Sequence, residues 1–260
     1  MTTKVAVVGA TGKMGSLACH LVEEADDFEL VARLGSGGDL AEVLGADLVV
    51  DFTVPQVSPG IVDYAVGQGK SVLVGTSGWS AERIVRLQRT VADAPGVGVI
   101  IVPNFSLGSV LATSFSAMAA RFYDSIEIIE SHHAGKIDSP SGTAVRTAEL
   151  IGEARSALGP VIAPHADQRA RGQQVSSVPI HSLRMQGVVA KQQVILGGLG
   201  EQVTITHDTL SPAAYEAGIL LALRALGDTR GVVVGLDKLI DLDGTGAPGT
   251  ATSTGSEGAA

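Results

Sequence analysis

The stretch Glu130-Ser131-His132-His133-Ala134-Gly135-Lys136-Ile137-Asp138-Ser139-Pro140-Ser141-Gly142-Thr143 puts two of the chain's six histidines and a lysine within five residues. An imidazole moves a proton near neutral pH, and a lysine offers a positive charge or a second proton. Ser139 to Thr143 has the composition of a helix start, whose free backbone N–H groups suit a carboxylate. Together these residue types describe an acid–base site for an anionic substrate. A metal site needs more: two adjacent histidines lack the i, i+4 spacing of a helical zinc pair, so no metal is expected. His181 and His207 sit in strand-like runs, His20 on the first helix and His165 in a loop, and each taken singly reads as structural. Cys19, the one cysteine, reads as a small buried hydrophobe; it excludes an internal disulfide and argues against thiol catalysis.

A second constellation is Gly9-Ala10-Thr11-Gly12-Lys13-Met14-Gly15, directly after the first strand-like run. Glycines let a backbone turn tightly and approach a pyrophosphate, and the helix N-terminus that follows faces the negative charge. The spacing is G-x-x-G-x-x-G, and its place between a strand and a helix points to a dinucleotide. The second strand ends Val31-Ala32-Arg33-Leu34-Gly35-Ser36, with no acid before Asp39 to read a ribose hydroxyl. Arg33 and Ser36 are instead suited to a 2′-phosphate, which favours NADPH slightly while leaving NADH open. Gly75-Thr76-Ser77-Gly78 and Pro103-Asn104-Phe105-Ser106 follow the fourth and fifth strands, where ligands of open α/β sheets bind.

The elements that must position these residues fall into two patterns. Short valine- and isoleucine-rich runs at 5–8, 30–34, 48–50, 72–74 and 97–102 alternate with helical stretches at 14–24, 58–66 and 81–91. Such alternation predicts βαβ units and a doubly wound parallel sheet, with Ser80 as the N-cap of the third helix. After Pro103 the pattern predicts a helix at 107–122, a strand at 125–130, a polar stretch at 131–141 and a helix at 143–158. A loop at 159–174 leads to alternating runs at 175–185, 188–196 and 202–207, which read as a mixed sheet with one exposed face. Gly197-Gly198-Leu199-Gly200 reads as a hairpin connection. An apolar helix at 213–226 and a strand at 232–236 follow. The expected organisation is a Rossmann-like dinucleotide-binding domain, 1–105 with 213–242, and an α+β domain for substrate and oligomerisation, 106–212. The tail at 243–260 is expected to be disordered.

Composition sets the outer bounds. With 45% hydrophobic residues the chain can bury a large core, so wholesale disorder is excluded. Eighteen basic against 27 acidic side chains give a net charge of −9, and no basic face points to nucleic acid. No apolar run nears the roughly 20 residues that span a bilayer. With one cysteine and an opening that runs straight into a strand pattern, a cytoplasmic protein without membrane contact is expected.

Taken in order, the motifs resemble the dihydrodipicolinate reductase family, the 4-hydroxy-tetrahydrodipicolinate reductases of diaminopimelate and lysine biosynthesis. The likeness covers nearly all of residues 4–242. Its most specific part is Glu130 to Ala144, similar to the family signature E-x-H-H-x-x-K-x-D-A/S-P-S-G-T-A. Asp51-Phe52-Thr53, His181-Ser182-Leu183-Arg184 and Thr206-His207-Asp208 are similar to family motifs as well. The resemblance implies that His132 is the acid/base residue and Lys136 the proton donor. His133 would contact a cyclic dicarboxylate substrate, and Gly142 and Thr143 would hold its carboxylate. Gly9, Ala10, Thr11, Gly12, Lys13 and Met14, with Gly75, Thr76 and Ser77 and with Val102, Pro103, Asn104 and Phe105, would line an NADPH or NADH site. It also implies that the last helix returns to the first domain, hinges near Phe105 and Pro212, and a homotetramer built on the second-domain sheets. Three positions depart from the pattern. Gly135 stands where members often carry a further histidine, the acid at the tip of the second strand is absent, and an arginine after the final strand is replaced near Pro212. Alternative readings are a paralogous NAD(P)H-dependent reductase of another cyclic imine or keto acid, and a non-catalytic NAD(P)-sensing module.

Overall fold

The structure, a computed structural model, describes residues 2–240; the tail at 243–260 lies outside the described residues. In chain order β1 (Thr3–Val8), α1 (Lys13–Glu24), β2 (Phe28–Leu34), β3 (Leu48–Asp51), α2 (Ser58–Gly67), β4 (Ser71–Val74), α3 (Ala81–Ala92) and β5 (Gly98–Ile101) come first. Next are α4 (Leu107–Ala119), β6 (Ser125–His133), α5 (Gly142–Ala154), β7 (Gln173–Val175), β8 (Val178–Met185), β9 (Ala190–Gly198) and β10 (Glu201–Thr209). The chain closes with α6 (Glu216–Asp228) and β11 (Gly231–Val234). It divides into two compact units, one of Met1–Phe105 with the described residues from Glu216 on, the other Ser106–Tyr215.

In the first unit all six strands are parallel, in the order β11-β5-β4-β3-β1-β2. Strands β3, β4 and β5 are buried along their whole length, because helices cover both faces of a parallel sheet. Hence their sequences are continuous apolar runs rather than alternating ones. Helix α1 packs with α6 and α2 with α3. Ile61, Val62, Leu87 and Val91 fill the α2–α3 side against Val49, Val72, Val74 and Ile101. β2 lies at a sheet edge, which lets Glu29, Val31 and Arg33 reach solvent. The strand order reverses between β1 and β3, so the crevice at their carboxyl ends is the topological switch point of the sheet. Ser80 caps α3 by accepting the Arg83 N–H at 3.3 Å.

The second unit is a five-stranded mixed sheet, β10-β9-β6-β8-β7, with only the β6–β8 pair parallel. Helices α4 and α5 pack on one face. Ile126 and Ile128 of β6, Ile180 of β8, Val194 and Leu196 of β9 and Ile151 of α5 form the core there. Truncating such a side chain to alanine costs about 2–5 kcal/mol. The alternate residues point to the other face, where Glu127 accepts Arg171 and meets His181 Nε2 at 2.7 Å. Leu183 and Met185 are exposed on that face, at 39% and 48%.

Several elements differ from the sequence expectation, each for a local reason. β6 runs three residues further, through Ser131, His132 and His133, because those residues pair with β8 on one side; Ser131 and His132 also pair with β9 on the other. Ladder hydrogen bonds are indifferent to side-chain polarity, so the polar letters concealed a strand. The run at 175–185 breaks into β7 and β8 because Ser176 and Ser177 adopt left-handed backbone, φ 48° and 67°, and form the hairpin turn. α5 ends at Ala154, where the buried Arg155 guanidinium donates to the carbonyls of Ala120 and Tyr123 and to Asp124. The expected helix at 107–122 is α-helical to Ala119 and 3₁₀ over Ala120–Phe122. The apolar run from residue 213 is a 3₁₀ turn, Pro212–Tyr215, before α6.

Candidate active site

In the first unit the sheet ladder continues into the loops at its carboxyl edge and brings them together. Gly9 and Ala10 donate to the Leu34 carbonyl, Phe52 to Val8, Gly75 to Asp51 and Val102 to Val74. Gly9 has φ +82°, and a Cβ there would lie 2.4 Å from the Phe52 carbonyl oxygen. A Cβ at Gly15 would lie 2.0 Å from the Gly9 oxygen. Only glycine permits this closeness of turn, strand and helix. Below the turn, Asp51 is fully buried and accepts the Thr53 N–H, the Thr53 hydroxyl and the Ser58 hydroxyl. The Trp79 indole donates to Ser58 at 3.2 Å. Gly75 is seated under two rings, Phe52 and Phe105, whose centroids are 5.5 Å apart. Arg33 is held by the Glu23 carboxylate of α1, and Gly35 lies against the Thr11 methyl.

These residues fit a dinucleotide. α1 begins at Gly12 with no side-chain cap and no acid in its first turn, whereas α3, α4 and α5 are each capped by a serine. Its first N–H groups therefore remain available to an anion, in a cradle that any larger side chain would fill.

In the second unit the polar cluster is built on β6 and the start of α5. Glu130 is fully buried. Its Oε1 accepts Arg184 Nη2 at 2.9 Å and the Ser141 N–H at 3.2 Å. Its Oε2 accepts Arg184 Nη1 at 2.9 Å and lies 2.6 Å from His132 Nδ1. Arg184 also donates to the Asp138 carbonyl at 2.5 Å. Lys136 turns back over His133, its N–H donating to that carbonyl, and its ammonium pairs with Asp138 at 2.6 and 2.7 Å. Ser141 caps α5 by accepting the Ala144 N–H, which leaves the Gly142 and Thr143 N–H groups at the helix opening. His133 is exposed, and a Cβ at Gly135 would sit 3.4 Å from its Nδ1, an ordinary van der Waals contact. Among the described residues no cluster of three or more His, Cys, Asp and Glu is placed to hold a metal ion.

The electrostatics follow from burial and pairing. Burial lowers the His132 pKa more than the neighbouring Glu130 raises it, with Lys136 and Arg184 lowering it further. The ring is thus neutral at pH 7, with Nδ1–H on Glu130 and a lone pair on Nε2. Burial pushes the Glu130 carboxyl up, but hydrogen bonds from Arg184, Ser182 and His132 hold it below the usual carboxylate range. Lys136 holds Asp138 low.

Residues 3–105 match the family model described as dihydrodipicolinate reductase, N-terminus, and residues 108–240 the one described as dihydrodipicolinate reductase, C-terminus. The chain belongs to the dihydrodipicolinate reductase family. A relative named 4-hydroxy-tetrahydrodipicolinate reductase from Clavibacter sepedonicus is 67% identical over 253 residues, covering 97% of this chain and 91% of its own. One of the same name from Streptomyces griseus subsp. griseus is 44% identical over 246 residues, covering 92% and 98%. The solved structure of dipicolinate-bound dihydrodipicolinate reductase from Paenisporosarcina sp. TG-14 has a TM-score of 0.81 at 28% identity, covering 92% of this chain and 100% of its own. As a member of the dihydrodipicolinate reductase family the chain is an oxidoreductase that uses NADH or NADPH, which sets aside the sensing-module reading.

Two parts of the site have no local sequence signal for their role. Glu130 and Arg184 are 54 residues apart, and only the β6–β8 pairing makes them partners. Asp51 likewise shows its buried hydrogen bonds only once β3 and α2 are in place.

Proposed function

We propose that the chain reduces 4-hydroxy-tetrahydrodipicolinate to tetrahydrodipicolinate, the first unit holding the dinucleotide and the second the substrate. The observation that carries the reading is the grouping of His132, Lys136 and the opening of α5 around one buried carboxylate: Glu130 meets His132 and the Ser141 N–H directly, and reaches the turn that carries Lys136 through Arg184 and the Asp138 carbonyl. Gly9 to Met14 hold the diphosphate, and Gly75 to Ser77 with Val102 to Phe105 line the nicotinamide end. Bound there, the reduced nicotinamide supplies a hydride. The substrate is a cyclic dicarboxylate imine, conjugated after loss of water from its 4-hydroxy precursor. Gly142, Thr143 and His133 orient its carboxylates, and Lys136 gives a proton to the ring carbon next to the one that receives hydride. That leaves Lys136 as a neutral amine, and His132, neutral and tethered through Nδ1, presents Nε2 to relay a solvent proton back to it.

The exposed apolar residues on the open face of the second sheet, Leu183 and Met185, support a homotetramer assembled through that face. No described helix is long and apolar enough to cross a membrane, and a cytoplasmic site of action agrees with the nicotinamide chemistry.

The test is oxidation of NADH and of NADPH, run separately, with substrate made in situ from pyruvate and aspartate semialdehyde by the upstream synthase. Rapid oxidation that Lys136→Ala abolishes is expected. Wild-type turnover in that variant would remove Lys136 from the role, and absence of turnover with either cofactor would overturn the substrate assignment.

A further inference from the structure

We propose that Glu130 and Arg184 form a buried positioning centre that sets the geometry of three groups at once: the His132 imidazole, the opening of α5 and the turn that carries Lys136. The inference deepens the reading above and rests on it. Each arm is a separate contact. Glu130 Oε2 fixes His132 through Nδ1, and Oε1 fixes the α5 N-terminus through the Ser141 N–H. Arg184 grips both carboxylate oxygens in a fork and passes on to the Asp138 carbonyl, two residues beyond Lys136. The four segments β6, β8, α5 and the Lys136 turn thus share one ion pair.

Stability does not account for this pair. The Glu130 side chain is fully buried and that of Arg184 is 19% exposed; taking a carboxylate out of water with its partner mostly covered costs several kcal/mol, and well-packed apolar residues of the same volume often serve a fold equally well. The Arg184 Nε–H is buried and finds no acceptor among the described residues, which adds to the cost. An ion pair kept in a core despite such terms is explained by the orientation it imposes. A forked guanidinium–carboxylate pair fixes direction as well as distance.

The charge acts on His132 too. The groups that face the ring are Glu130 on its own strand, Lys136 from the following turn and Arg184 from β8, while Ala190 opposite it on β9 is uncharged. Glu130 is the one group among these that favours the imidazolium, and its carboxylate requires the proton on Nδ1. Glu130→Gln keeps the shape, removes the negative charge and lets the amide donate to Nδ1, which moves the ring proton to Nε2. His132 then titrates at lower pH in the wrong tautomer.

The experiment compares Glu130→Gln, Arg184→Lys and His132→Ala in the full chain, measuring kcat, KM, the pH profile of kcat/KM, thermal stability and dinucleotide affinity. The expected result for Glu130→Gln is a kcat lowered about 100-fold or more, a basic shift lost from His132 so that its limb of the profile moves to lower pH, and unchanged dinucleotide affinity. Arg184→Lys keeps the charge but loses the fork; it should lower kcat at least tenfold with the limb in place, and it tests the inference even where Glu130→Gln does not fold. Both variants within twofold of wild-type kcat, with unshifted profiles, would overturn the inference. Wild-type turnover in His132→Ala would instead overturn the underlying reading of the site, so the two failures are distinguishable.

Discussion

The helix openings of α1 and α5 both offer free N–H groups to an anion, yet they are built in opposite ways. α1 begins on Gly12 without a side-chain cap, in a cradle defined by what is absent: no Cβ fits at Gly9 or Gly15. α5 begins on Ser141, capped by its own hydroxyl and anchored from beneath by a buried carboxylate. A diphosphate carries enough charge to be held by backbone dipoles and close approach alone. A small carboxylate on a reacting ring must be held in one orientation, and the α5 opening stands beside an ammonium, imidazoles and a fixed ion pair. Under the proposed function, backbone shape serves the cofactor and side-chain charge serves the chemistry.

The contrast is sharpest in a pair of variants. Lys136→Ala should lower kcat by about 10²–10⁴, roughly 3–5 kcal/mol of barrier, with thermal stability and dinucleotide affinity kept. Gly9→Ala should do the reverse, destabilising the fold by about 2–5 kcal/mol through left-handed backbone and the clash with Phe52. It should also abolish dinucleotide binding, read by fluorescence titration. If Lys136→Ala lost cofactor affinity, or Gly9→Ala kept it, the division of labour between the two openings would fall.

Acid should separate the units. His132 and His207 have pKa values lowered, in each case chiefly by burial, so the unfolded chain binds more protons just below 6.5 and their contribution to stability is lost as pH falls through that value. For Glu127 and Glu130 burial acts to raise the pKa, but their hydrogen-bond partners, an arginine foremost in each case, prevail and hold both low; their stabilisation is present above 4.5 and lost as pH falls below it. All four lie in the second unit. The chain's one tryptophan, Trp79, lies in the first. In melts at pH 4 the Trp79 fluorescence transition is expected above the first far-UV circular dichroism transition; coincident transitions at every pH would contradict this.

Ser141→Ala removes the cap of α5 and should cost about 1 kcal/mol in stability while raising KM for the substrate, not for the cofactor. The smallest effect belongs to Arg33. Its guanidinium is paired with Glu23 at an exposed site, and such pairs contribute about 0–1 kcal/mol. Arg33→Ala should therefore change the ratio of NADPH to NADH affinity by less than about fivefold, and a larger change would show that Arg33 reads the 2′-phosphate after all.

The first unit was the more legible in sequence. Its central strands β3, β4 and β5 read as continuous apolar runs because both faces are covered, and its glycines stand where a turn demands them, so composition and spacing carry the signal. The second unit hid its most useful elements. Ser131, His132 and His133 look like a loop but extend β6, because pairing with β8, and at Ser131 and His132 with β9 as well, supplies what their side chains do not. Two consecutive serines, without a glycine, turn β7 into β8. His132 and Lys136 stood out by type and crowding. Glu130 and Arg184 lay inside motifs yet gave no sign of their partnership, since a contact across 54 residues leaves no local pattern.

The interrupted layout of the first unit has a consequence for how the protein is made. Ser106–Tyr215 is contiguous and can complete its own sheet as soon as β10 leaves the ribosome. The first unit cannot: α6 packs on β4 and β5, β11 pairs with β5, and Gly218 sits on the Phe105 carbonyl. Its earliest strands must wait, with the β5 edge bare, for residues synthesised about 130 positions later. At translation rates of about 5–20 residues per second that exposure lasts roughly 6 to 26 seconds. The Rossmann-like half begins first and finishes last, so chaperone demand and misassembly should concentrate at the β5 edge.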